Sequence, residues 1–250
     1  MSNAGGNSLE VITAAWPAPP TVRTAFTLRT GGVSSKPFDS LNVGAQVGDS
    51  PSAVAANRER VREHLALRGE PAWLEQVHGT RVVDLDAGEI QGPADAVIAR
   101  RSGGVCVVQV ADCLPVFLAA RDGSAIAAAH AGWRGLAAGV LEATIAALDV
   151  APQKLIAWLG PAISARHFEV GEEVRAAFIA RAAGAVAAFS ANERGRWQCD
   201  LVALARQRLE ASGLRTVFGG EWCTYADRRR FFSYRRDGQC GRMAALIWLA

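Results

Sequence analysis

Two kinds of hydrophobic patterning share this chain. Short, almost unbroken apolar runs at 94–99, 105–110, 115–120 and 124–129 read as strands buried on both faces, which requires helices packed on the sheet. Runs at 21–28, 72–77, 81–85, 155–159 and 243–249 predict further strands. Ala-rich segments at 136–148, 171–183 and 200–211 place their apolar residues at helical spacing. Asp49-Ser50-Pro51 supplies a cap and a first-turn proline for a helix running to about Leu67, with Val54, Val61 and Leu65 on one face. The interleaving predicts an α/β fold, a single domain with mixed β-sheets flanked by helices. Residues 21–250 form that domain, and residues 1–20 read as an N-terminal tail in which Ser2-Asn3-Ala4 has the look of a tag remnant.

Composition narrows the class. No apolar stretch is long or uninterrupted enough for a bilayer span, and residues 1–6 lack the basic and apolar parts of a signal peptide, so no membrane and a cytoplasmic address are expected. Five cysteines without a CxxC pair argue against a disulfide framework and against a zinc ribbon. A formal charge of +3 is too small to imply nucleic acid as a partner. The excess is local, however: Arg228, Arg229, Arg230, Arg235, Arg236 and Arg242 crowd one segment, a pattern that suits an anionic ligand or a solvated basic loop. A monomer or a weak homo-oligomer is expected.

Candidate chemistry gathers where predicted strands meet turns. His78 follows Gln76-Val77, His130 closes an apolar run before Gly132, and Asp112-Cys113 interrupts another before Pro115. Two imidazoles and a thiolate are borderline-soft ligands that leave one tetrahedral position open, as in catalytic zinc sites, and copper accepts the same set. Taken singly, each residue reads equally as a satisfied core side chain. Cys113 with a histidine and Asp112 also makes a metal-free thiol nucleophile. Asp112 is placed to orient an imidazole, bind a substrate hydroxyl or carry a proton. Arg29, ahead of Thr30-Gly31-Gly32, sits where an anion can approach the backbone, within a glycine-bearing loop at 29–49. Trp133-Arg134-Gly135 opens a helix whose positive end faces His130. There is no GxxxxGK[ST] loop, no GxGxxG unit and no nucleobase-deaminase zinc signature.

These tracts fall in one order: Leu28-Arg29-Thr30-Gly31-Gly32, Leu41-Asn42-Val43-Gly44, Gln76-Val77-His78-Gly79, Ala111-Asp112-Cys113 and His130-Ala131-Gly132-Trp133-Arg134-Gly135. Leu159-Gly160-Pro161, Phe168-Glu169-Val170-Gly171 and Phe231-Phe232-Ser233-Tyr234-Arg235-Arg236-Asp237 follow. Over about residues 22–249 the chain resembles the multicopper polyphenol oxidase-like, or laccase-domain, family of bacterial purine nucleoside phosphorylases and peptidoglycan editing factor-like proteins. The resemblance implies metal ligands at His78, Cys113 and His130, with zinc as the usual ion and copper as the alternative. It implies phosphorolysis of adenosine, inosine, guanosine and S-methyl-5'-thioadenosine, and adenosine deamination at the same site. Purine nucleosides and phosphate are then the partners, with Asp112, Arg29 and Cys113 as catalytic candidates and Arg29, Asn42, Arg134 and Arg235 as substrate or phosphate contacts. Four histidines are too few for the blue-copper and trinuclear centres of a true multicopper oxidase. A hydrolase of peptidoglycan precursors, a single-copper polyphenol oxidase and a metal-binding regulatory protein remain the other readings.

Overall fold

The computed structural model describes residues 9–250. In chain order its first half runs β1 (Val11–Ile12), β2 (Val22–Thr27), α1 (Pro51–His64), β3 (Pro71–Trp73), β4 (Val82–Asp84), β5 (Ala96–Ala99), β6 (Val105–Val110), β7 (Leu114–Ala120) and β8 (Ile126–Ala131). The second half runs α2 (Trp133–Ala138), α3 (Val140–Leu148), β9 (Leu155–Leu159), β10 (Glu169–Val170), α4 (Glu172–Ile179), β11 (Phe189–Ala191), β12 (Trp197–Cys199), α5 (Leu201–Ala211), β13 (Val217–Gly219), α6 (Tyr234–Asp237) and β14 (Met243–Leu249).

The strands form two large mixed sheets, ordered β1-β2-β14-β6-β3 and β13-β9-β7-β8-β5-β4, and a small antiparallel one, β10-β12-β11. Side-chain alternation explains how they stack. Leu114, Val116 and Leu118 of β7 point into a core shared with Leu136, Leu141, Val174 and Leu204 of the helices. Phe117 and Ala119, one residue out of phase, point into a second core shared with Phe26, Val108 and Ile247 of the other sheet. The outer face of that other sheet carries Val105, Val107 and Leu246 against Val61 of α1. The molecule is therefore layered helix, sheet, sheet, helix, and the two-sided burial predicted from the apolar runs arises from helices on one face and a facing sheet on the other. No helix among the described residues is long and apolar enough to cross a membrane.

Three local readings are corrected. The helix opened by Trp133-Arg134-Gly135 and predicted through 136–148 is not continuous but breaks at Gly139, whose φ of 109° takes the left-handed conformation that glycine tolerates. The strand predicted at 72–77 ends at Trp73, so His78 belongs to a loop. Part of the predicted tail is built into the fold, since β1 pairs with β2 and Ile12 and Trp16 pack on the core between the sheets. The Ser2-Asn3-Ala4 segment lies outside the described residues.

Candidate metal centre and cleft

Strand order brings the candidate ligands together. In the sheet β8 lies between β5 and β7, antiparallel to both, so the C-terminal end of β8 meets the N-terminal ends of its neighbours. His130 is the penultimate residue of β8 and pairs with Pro115, while Cys113 immediately precedes β7. His78 arrives from the loop between β3 and β4 with a φ of 61°. The ligand atoms of His78, Cys113 and His130 all lie within 4.8 Å of one another. Cys113 Sγ is 3.7 Å from His78 Nε2, and the two imidazoles meet edge to face at 4.8 Å between centroids. Glycine is required where α2 begins: a Cβ on Gly132 would sit 2.7 Å from His78 Cδ2 and 3.0 Å from Cys113 Sγ.

A residue not singled out from the sequence organises this centre. Asp95, just ahead of β5, is fully buried, and its carboxylate accepts hydrogen bonds from the backbone N–H groups of Val77 (3.1 Å), His78 (2.9 Å) and Gly79 (2.7 Å). Its Oδ1 also lies 2.8 Å from His130 Nδ1. With Nδ1–H donated to Asp95, His130 presents Nε2 as its ligand atom, the carboxylate–histidine arrangement common behind metal-binding imidazoles. Burial alone would raise the Asp95 pKa, but His130 and the Gly79 and Val77 amides outweigh it and hold the carboxyl below its usual range. The sequence held one signal, a lone acid between Ala94 and Ala96 at the mouth of an apolar strand.

In the metal-free protein Cys113 and His130 exchange their usual titration ranges. Burial opposes a thiolate at Cys113, yet the positive charge of His130 and the hydrogen bonds of His130 and His78 lower the pKa from 9.0 to about 6. Burial likewise opposes charge on His130, but the Cys113 thiolate and Asp95 raise it from 6.5 to about 9. A thiolate and two oriented imidazoles suit zinc or another borderline transition metal and leave a further coordination position open, so the residues present fit the ion.

The three ligands line a cleft of about 750 Å³. Arg134 and Arg235 line it too, and so do Arg242 of the basic segment and Arg58, which the sequence did not mark. Arg58 stacks on Trp73 at 4.2 Å and donates Nε–H to the Val43 carbonyl. Phe168 and Tyr234 add aromatic faces.

Arg29 and Asn42, expected as ligand contacts, and Asp112, a catalytic candidate, are held by bonds within the protein. Arg29 lies away from the cleft lining, where its guanidinium donates to the carbonyls of Asp39 and Arg228 and rests on Phe232 at 4.7 Å. Asn42 is buried: its amide donates to the Gly44 carbonyl and Asp49, and its oxygen accepts from the N–H groups of Gly44 and Arg242. Asp112 borders the cleft, but its carboxylate accepts from Thr224 Oγ1 (2.6 Å), Ser233 Oγ (3.0 Å) and the Arg235 N–H (2.7 Å). Those bonds hold its backbone at a φ of 90° and make it a clamp on the turn that carries Cys113. Part of the basic segment is likewise taken up by contacts within the protein, although Arg228, Arg229 and Arg235 are exposed. Arg230 pairs with Asp227, and Arg236 pairs with Asp237 and donates to the carbonyls of Thr224, Tyr225 and Phe231.

Fold and site define a class: an α/β protein with a carboxylate-oriented His-Cys-His set on the wall of a cationic cleft. The family described as multi-copper polyphenol oxidoreductase laccase matches residues 23–250, and this chain belongs to it. A purine nucleoside phosphorylase of Pseudomonas aeruginosa is 53% identical over 240 residues, covering 95% of this chain and 98% of its own. An Escherichia coli purine nucleoside phosphorylase is 49% identical over 241 residues, covering 96% and 99%. The crystal structure of a Neisseria meningitidis protein superposes with a TM-score of 0.92 at 50% identity, over 96% of this chain and 98% of that one.

Proposed function

We propose that this protein is a zinc-dependent purine nucleoside phosphorylase acting on adenosine, inosine, guanosine and S-methyl-5'-thioadenosine, with adenosine deamination as a second activity of the same cleft. The observation that carries the reading is the His78-Cys113-His130 set opening on a cleft ringed by arginines and aromatic faces. The names borne by relatives at about half identity support it. Copper is the alternative ion. The histidine inventory opposes multicopper chemistry: of the four histidines only His78 and His130 reach the centre, while His64 ends α1 and His167 stacks on Tyr225.

Phosphorolysis joins an anion to the ribose anomeric carbon while the purine departs, so a catalyst must hold phosphate in line and counter charge on the leaving base. Arg58, Arg134, Arg235 and Arg242 supply fixed positive charge along the cleft, and guanidinium forks match phosphate oxygens. Arg58 is partly desolvated by Trp73, which strengthens its pull on an anion. Phe168 and Tyr234 offer stacking faces for the purine. Asp95 and Asp112 act as positioning residues, the first on the imidazoles and the second on the Cys113 turn. When bound, the ion supplies Lewis acidity to an oxygen at its open position.

The test follows product formation. Zinc-supplemented protein given each nucleoside is expected to release free base only with phosphate present, one sugar phosphate forming per base. Base release at an equal rate without phosphate would replace this reading with hydrolysis.

A further inference from the structure

The metal centre uses one of five free cysteines, and the other four are not alike. Cys106, Cys199 and Cys240 are buried, and burial pushes their thiols up, that of Cys199 to about 12. Cys223 is partly exposed and lies outside the cleft lining, as do its neighbours Ser164 and His167. Its backbone is fixed, because Cys223 bridges Ala162 and the next amide, Thr224 N–H, donates to the Ala162 carbonyl at 3.0 Å.

The Cys223 sulfur has three polar neighbours. It accepts from the Ser164 N–H at 3.4 Å and from Ser164 Oγ–H at 3.1 Å, and it faces His167 Nδ1 at 3.5 Å. His167 is held by a near-parallel stack on Tyr225, with 4.5 Å between centroids and 18° between planes, and its Nδ1 is also 3.3 Å from Ser164 Oγ. A base within reach of a thiol and two donors on the same sulfur are the parts that generate and hold a thiolate nucleophile. A structural cysteine needs neither exposure nor a base.

We propose that Cys223, His167 and Ser164 form a second reactive centre that takes a hydroperoxide as its substrate and becomes a sulfenic acid. His167 Nδ1 takes the thiol proton, and the thiolate attacks one oxygen of hydrogen peroxide. An S–O bond forms as the O–O bond breaks, and the departing hydroxide leaves as water with the proton from His167. Sulfur is oxidised by two electrons and peroxide is reduced by two. The product has a route to the main cleft: Ser164 is joined to Ile163, which lines the cleft and donates its N–H to the Asp112 carbonyl, and Thr224 grips the Asp112 carboxylate.

The experiment uses the full chain carrying Cys113→Ala, so that the ligand thiol does not compete and the outcome is independent of metal loading. Hydrogen peroxide is added with dimedone, and adducts are mapped by peptide mass spectrometry. Cys223 is expected to carry the adduct while Cys106, Cys199 and Cys240 stay unlabelled, with His167→Gln and Ser164→Ala each slowing labelling by about tenfold. Near-UV circular dichroism matching the parent shows that the variants are folded. Labelling of the buried cysteines as fast as Cys223, or unchanged Cys223 labelling in both folded variants, would overturn the proposal.

Discussion

At the scale of single residues, the centre is governed by a proton exchanged between two ligands. Cys113 and His130 each move close to the other's ordinary pKa, so near neutrality the metal-free pair is thiolate and imidazolium. Because the folded and unfolded pairs bind nearly the same number of protons from about pH 6 to 9, the exchange gives stability little pH dependence there. Reactivity is the sensitive readout. Alkylation of Cys113 by iodoacetamide in chelated protein is expected to stay near its plateau down to neutral pH and to fall through a midpoint of about 6. A midpoint near the ordinary 9.0 would contradict the ion pair. His78, Cys113 and His130 were legible in the sequence because glycines and abrupt polar interruptions mark the ends of their apolar runs. The reading of Arg29 rested on its neighbouring glycines, which resemble an anion cradle; in the structure Asp39 and the Arg228 carbonyl take up the guanidinium.

Between elements, Asp95 ties the loop after β3 to the end of β8, so one carboxylate sets both imidazoles. Oδ1 serves His78 N–H and His130, and Oδ2 serves Val77 and Gly79, leaving no place for an amide NH2 whichever way it turns. Asp95→Asn is therefore expected to weaken zinc binding by roughly 10- to 100-fold in competition with a chromophoric chelator. Wild-type affinity in the variant would make Asp95 a bystander. Periodicity could not show this role, since the partners of Asp95 are set by strand order. The same limit explains Asp112, whose clamps at Thr224, Ser233 and Arg235 come from the far end of the chain. The helix opening at Trp133 was legible, but the close approach of the preceding Gly132 to His78 emerges only when β8 and the His78 loop are packed together.

Across the whole molecule, the mixed α/β class was readable, whereas the face-to-face packing of two sheets was not. An apolar strand such as β7 reads alike whether Phe117 meets a helix or another sheet. The cleft arginines illustrate the cost of that ambiguity: Arg58 comes from α1, Arg134 from α2, Arg235 from α6 and Arg242 from just before β14, and only the assembled layers bring them to one cavity. The central claim is that the His78-Cys113-His130 set holds an ion on which nucleoside cleavage depends. The most direct measurement compares metal content and phosphate-dependent adenine release in the wild-type protein, its chelated form and Cys113→Ala. One bound zinc per wild-type chain, with metal and turnover lost together in both controls, is the predicted result; full turnover by metal-free Cys113→Ala would contradict it.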